Sequence, residues 1–136
     1  MEFISRTDVN RLARDKTIIG FGAGVIGKKS LKFLDGNIDF FIDNNSHKVG
    51  QKLDGSVSIR SVDYLSSEDL DNSVIILCSE KYEEMREQLQ EKFEFHEQTF
   101  LSPLLKDYEV FQKLQNNASK SLLVSAYGTN GGLYLV

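Results

Sequence analysis

Apolar positions along this chain follow two rhythms: compact runs, and longer stretches in which they recur every three or four places. TIIGF (17–21), IDFFID (38–43) and VIILCS (74–79) are compact runs and predict strands. The last is so uniformly apolar that it predicts a strand buried on both faces. Between the first two, VIGKKSLKFLD (25–35) sets Ile26, Leu31 and Leu34 on one side and Lys28, Lys29 and Lys32 on the other. That spacing predicts a helix, which Gly36 is placed to end. Residues 5–15 predict a short helix with Val9, Leu12 and Ala13 on one face, Val57–Arg60 a short strand, and Val62–Leu65 one helical turn. A helix follows over 80–92, with Ser79 as its cap, Glu80, Glu83 and Glu84 suiting the positive end of its dipole, and Tyr82, Met85, Leu89 and Phe93 as its buried stripe. A weaker strand near 94–101, a helix opened by Ser102-Pro103 and ended by Asn116-Asn117, and a strand at 121–127 complete the pattern. Alternating β and α elements imply a single α/β domain with a mostly parallel sheet and helices on both faces. Thr17–Phe21, Ile38–Asp43 and Val74–Ser79 are expected to be its parallel neighbours.

Composition narrows the function. With 136 residues there is room for one domain and one core. The formal net charge of −4 argues against a general affinity for nucleic acid or an anionic membrane. No apolar run approaches the ~20 residues a membrane span needs, and the N-terminal stretch lacks the apolar centre of a signal peptide. One cysteine, Cys78, cannot form an internal disulfide and fits a reducing compartment, so a cytoplasmic location is expected. Two histidines, His47 and His96, offer no zinc spacing with it.

The candidate chemistry lies in GFGAGVIGKK (20–29). Gly22-Ala23-Gly24-Val25-Ile26-Gly27 fits the dinucleotide-binding pattern G-x-G-x-x-G. A phosphate-moving P-loop is one residue away, but it needs a hydroxyl after its lysine to hold magnesium, and position 29 is Lys. A methyltransferase loop would carry an acid two residues before its first glycine, where this chain has Ile18. The dinucleotide reading has further support. The loop follows a strand and opens a helix, which aims backbone N–H groups and a positive helix end at a phosphate. Asp43 ends the next strand, about 20 residues on, where a carboxylate can take ribose hydroxyls. The same residue could instead cap the Asn44–His47 turn through its own backbone, and the glycines could serve packing alone. Taken with the β–α–β order, the loop predicts a Rossmann-like fold.

Catalytic residues are not evident. Tyr64, Tyr82 and Tyr108 are followed four places later by Glu68, Arg86 and Gln112, so the Tyr-x-x-x-Lys of short-chain dehydrogenases is missing. Cys78 and Ser79 end the third predicted strand, where ligands dock in such sheets, although a cysteine there also serves as a small core residue.

GFGAGVIGKKSLKFL, FFIDNNSHKVGQKLDGSVSI, SVDYL and VIILCS together resemble a bacterial family, over roughly residues 16–95. It is the Rossmann-like domain that accompanies enzymes of surface-polysaccharide and sugar-nucleotide metabolism. Examples are the N-terminal domains of capsule-type sugar-nucleotide dehydratases and PglD-like sugar acetyltransferases, and domains fused to FkbM-type methyltransferases or glycosyltransferases. The shared pattern falls on Gly22, Gly24, Gly27 and Lys28, then on Phe41, Ile42, Asp43, Asn44, Lys48 and Gly50. The family's turn proline is replaced at Val57, and no dehydratase, methyltransferase or β-helix motif follows.

The resemblance implies a module for NAD or a nucleotide-sugar, served by a fused or partner catalytic domain, with Gly22–Gly27, Asp43, Asn44, Lys48, Cys78 and Ser79 as the binding residues. Residues 1–120 would form the module. Residues 121–136 would be either its last strand with an edge hairpin at GGLYLV, or the opening of a following glycosyltransferase domain. A small NAD-dependent oxidoreductase completed by a homodimer partner, and a ligand-free interaction domain, are the alternatives.

Overall fold

The computed structural model describes residues 3–4, 9–11, 13–93, 99–102 and 133–135. Among the described residues, eight strands pair in the order β1-β8-β7-β6-β2-β3-β5-β4. They are β1 (Phe3–Ile4), β2 (Thr17–Phe21), β3 (Phe40–Asp43), β4 (Lys52–Leu53), β5 (Val57–Ser61), β6 (Ser73–Leu77), β7 (Thr99–Ser102) and β8 (Leu133–Leu135). The central five, β5-β3-β2-β6-β7, are mutually parallel. Antiparallel pairs close both margins, with β4 on β5 and β8 between β7 and β1.

The three expected parallel neighbours are found with β2 in the middle. Ile19 is opposite both Phe40 and Ile75, and Phe21 is opposite Ile42 and Leu77. Strand alternation sends Ile19, Phe21, Phe40, Ile42, Ile75 and Leu77 to one face, and Ile18, Phe41, Val74 and Ile76 to the other. Every residue of β6 is buried, as expected for a parallel strand covered on both sides.

Helices α1 (Val25–Phe33), α2 (Ser67–Asp71) and α3 (Tyr82–Phe93) supply that cover. Leu31 and Leu34 pack on the second face; Leu70, Tyr82, Leu89 and Phe93 pack on the first. The fold is therefore α/β and Rossmann-like, a mostly parallel sheet with helices on both faces.

Several expectations shift. Helix α1 ends at Phe33, and its stop uses two residues rather than Gly36 alone. Asp35 and Gly36 both adopt positive φ (53° and 85°), and the Gly36 and Asp35 N–H groups return to the carbonyls of Leu31 and Lys32. Ser79 is not the cap of α3. Its Oγ accepts from Lys81 N at 3.0 Å, and the helix begins at Tyr82.

Helix α2 was not expected. Its start is fixed by a capping box, in which Ser66 Oγ accepts from Asp69 N at 3.1 Å and the Asp69 carboxylate accepts from Ser66 N at 2.9 Å. The strand expected near 94–101 is described as Thr99–Ser102, and of the helix expected over 5–15 residues 9–11 are described as helical. The helix expected after Pro103 and the strand expected at 121–127 lie outside the described residues. Among the described residues no helix is long and apolar enough to cross a membrane.

Candidate functional site

The glycine loop leaves the C-terminal end of β2 with its path fixed on both sides. Gly22 N–H donates to Ile42 O at 2.8 Å, and Cys78 N–H donates to Phe21 O at 2.8 Å, so the loop continues the hydrogen bonding of the flanking strands. Gly22 has φ +106°, and a Cβ there would lie 2.8 Å from Cys78 O. A Cβ on Gly27 would lie 2.4 Å from Gly22 O and 3.1 Å from the Phe41 ring, so this glycine lets α1 press against the turn below it. Both residues are required by the packing of the chain on itself.

Gly24 differs. Its backbone is extended (φ −102°, ψ −151°), a conformation open to any residue. A Cβ there would meet nothing nearer than Lys48 Nζ, at 3.7 Å. Nothing in the described fold asks for glycine at this position. It is also the N-cap of α1, and no side chain caps the helix there. No acidic residue occupies the first turn. The leading N–H groups of α1 thus face outward at the positive end of the helix.

A second element grips the loop. The Asp43 carboxylate accepts from Ala23 N at 2.8 Å through Oδ2 and from Asn45 N at 2.8 Å through Oδ1. Lys48 Nζ donates to Ala23 O at 3.3 Å. The turn following β3 therefore holds both the N–H and the carbonyl of Ala23, and it sets an ammonium group beside Gly24. Asn44 points elsewhere, exchanging two hydrogen bonds with Gln88 of α3 at 3.0 and 2.9 Å.

An open cleft of ≈ 460 Å³ borders the loop, with Gly24–Ile26 and Lys29 on one wall and Cys78–Lys81 on the other. It lies outside the C-terminal ends of β2 and β6, the two strands between which the connections turn to opposite sides of the sheet. Ligands dock at that point in open α/β sheets. A larger groove, ≈ 560 Å³, runs along the outer flank of α1 past Lys28, Lys32 and Asp54, away from the strand ends.

The structure thus brings Gly22–Gly27, Asp43, Lys48, Cys78 and Ser79 to one end of the sheet. Cys78 is buried in the core under the loop, its Sγ donating to Ile76 O at 3.4 Å. Burial pushes its thiol up to about 12, so it is no ionised nucleophile at neutral pH. Val25, at the mouth of the cleft, is 70% exposed. Sequence reasoning missed Gln88, because no local signal marks a partner 44 residues from Asn44. It also missed Gly20, where a Cβ would lie 2.3 Å from the Phe41 ring.

No protein-family model matches the chain, and no curated protein does. Among solved structures it is similar to the crystal structure of UDP-D-quinovosamine 4-dehydrogenase from Vibrio fischeri. The likeness spans 90% of this chain and 93% of that one, with a TM-score of 0.57 and 20% identity. At that identity it is a likeness of fold, in agreement with the Rossmann-like architecture.

Proposed function

We propose that this chain is a nucleotide-binding Rossmann-like module that holds NAD(H) or a nucleotide-sugar and serves a sugar-modifying enzyme, such as one that builds surface polysaccharide. The observation that carries this reading is Gly24. It is a glycine without a structural reason, at the uncapped start of α1, beside a half-buried lysine and a cleft at the strand ends. A missing side chain there gives a diphosphate room to meet the leading backbone N–H groups of the helix. Gly22 and Gly27 hold the loop, Asp43 and Lys48 fix its shape, and Cys78–Ser79 form the far wall.

The structural neighbour acts on a sugar nucleotide by its name, which supports the sugar-nucleotide side of the reading. The chemistry falls to a fused or partner catalytic domain in this reading, which is supported by the buried, protonated state of Cys78 at the loop and by the missing Tyr-x-x-x-Lys pattern. The pairing of β8 with both β7 and β1 supports reading residues 133–135 as part of this domain.

Calorimetry and thermal shift against NAD, NADP, UDP-sugars, CDP-sugars and S-adenosylmethionine test the proposal. A ligand at 100 times its dissociation constant should add about 2.7 kcal/mol of stability. Silence towards every nucleotide at millimolar concentration would refute it.

A further inference from the structure

If phosphates rest on Gly24–Ile26, the nucleoside extends towards the end of β3 or into the cleft beside β6. At the end of β3 the carboxylate expected to read the ribose is already engaged, since Asp43 holds Ala23 N–H with one oxygen and Asn45 N–H with the other. The next residue is Asn44. Its amide and that of Gln88 face each other edge to edge, each donating one N–H and accepting one.

A primary amide carries a donor beside an acceptor. That is also the edge adenine offers through its 6-amino group and ring nitrogen, and uracil through N3–H and O4. We infer that the Asn44–Gln88 pair reads the base of the bound nucleotide, opening its mutual bonds to form equivalent ones with a heteroaromatic edge that sets a donor beside an acceptor. This inference rests on the nucleotide-binding reading above.

Energetics favour exchange over a structural role. The pair is exposed, and a hydrogen bond that competes with water contributes only ~0.5–1.5 kcal/mol. Helix α3 does not depend on it, because Tyr82, Leu89 and Phe93 are buried in the core and Lys92 pairs with Asp63 further along. A base edge paired with one amide makes two bonds in place of the two that open, and the other amide, being exposed, turns to water, so the exchange leaves no buried polar group unsatisfied. A base lacking the donor–acceptor edge would offer no bonds in exchange and leave the two amides paired with each other, and selectivity follows from that difference.

Calorimetry on the full chain tests this with ADP, UDP and inorganic pyrophosphate, the last as a probe without a base. Wild type, Gln88→Leu and Asn44→Ala are compared, with circular dichroism confirming the fold of each. In both variants the nucleotide whose base is read should bind about tenfold more weakly, while pyrophosphate binding stays unchanged. Loss confined to ADP identifies adenine, and loss confined to UDP identifies uracil. Undiminished affinity for ADP and UDP in both variants overturns the base-reading role and leaves the phosphate loop standing. Equal weakening of pyrophosphate also overturns it, by showing that the pair only props the loop. If wild type binds none of the three, the nucleotide-binding reading falls as well.

Discussion

Substituting Gly27 with alanine sets two effects of known size against each other. In the first turn of α1 alanine gains up to about 1 kcal/mol of helix propensity over glycine. The new Cβ, however, lies 2.4 Å from Gly22 O and 3.1 Å from the Phe41 ring. Neither neighbour can yield cheaply. The Gly22 peptide is tied to Ile42 O, and Phe41 is fully buried. The helix must therefore lift from the turn, and overpacking of this kind costs about 1–3 kcal/mol.

A net loss of about 1–2 kcal/mol is expected, seen as a fall of roughly 3–10 °C in Tm. Gly24→Ala is the control in the same motif. Lower entropy of the unfolded chain favours it by about 0.4–1 kcal/mol, and loss of a good N-cap residue opposes it by a similar amount, so stability should move by less than about 0.5 kcal/mol. Ligand affinity should fall, because the methyl group occupies the approach. The chain has no tryptophan, so urea melts followed by far-UV circular dichroism are the suitable assay. Gly27→Ala as stable as wild type, or Gly24→Ala as damaging as Gly27→Ala, would refute this division of roles.

Other expectations follow from single contacts. Asn at position 43 keeps one acceptor oxygen where Asp43 uses two, so it must abandon Ala23 N–H or Asn45 N–H; a loss of about 1–2 kcal/mol is expected by urea melt. If Asp43 also reads the ribose, that variant narrows the gap between NAD and NADP; if it only shapes the loop, both affinities move together. Lys48→Met should cost about 1.5–3 kcal/mol of binding to any diphosphate and flatten the salt dependence of titrations, and equal affinity would remove Lys48 from the site. The Cys78 thiol stays protonated to about 12, against an ordinary 9.0, so the native state retains its proton where the unfolded state loses it. Stability should therefore decline between about pH 9 and 12, less so in Cys78→Ala, and the native thiol should resist iodoacetamide at pH 8; rapid labelling without unfolding would contradict the burial. Ser66→Ala should cost about 0.5–2 kcal/mol through loss of the capping box, and an unchanged melt would show that α2 is held by packing alone.

The sequence by itself determined the framework. Three compact apolar runs and one helical stripe sufficed to order β2, α1, β3 and β6, because a parallel strand buried on both faces and a half-buried helix must carry those patterns. The glycine loop and its acid were legible because a β–α–β unit sets them in a fixed order, glycines at the end of one strand and an acid at the end of the next, about 20 residues on. The α2 capping box was also written locally, as Ser66 followed three places later by Asp69, although a helix of five residues leaves too short an apolar pattern to draw attention to it.

Tertiary structure alone decided how the three motif glycines divide their work. Gly22 is confined by Cys78 O, 56 positions away, and Gly27 by the carbonyl of Gly22 and the ring of Phe41, while Gly24 is confined by nothing but a lysine tip. It also decided that the Asp43 carboxylate spans Ala23 and Asn45, and that Asn44 meets Gln88. Such contacts join residues brought together by strand order and helix tilt, and a side chain's type carries no record of which distant partner will satisfy it.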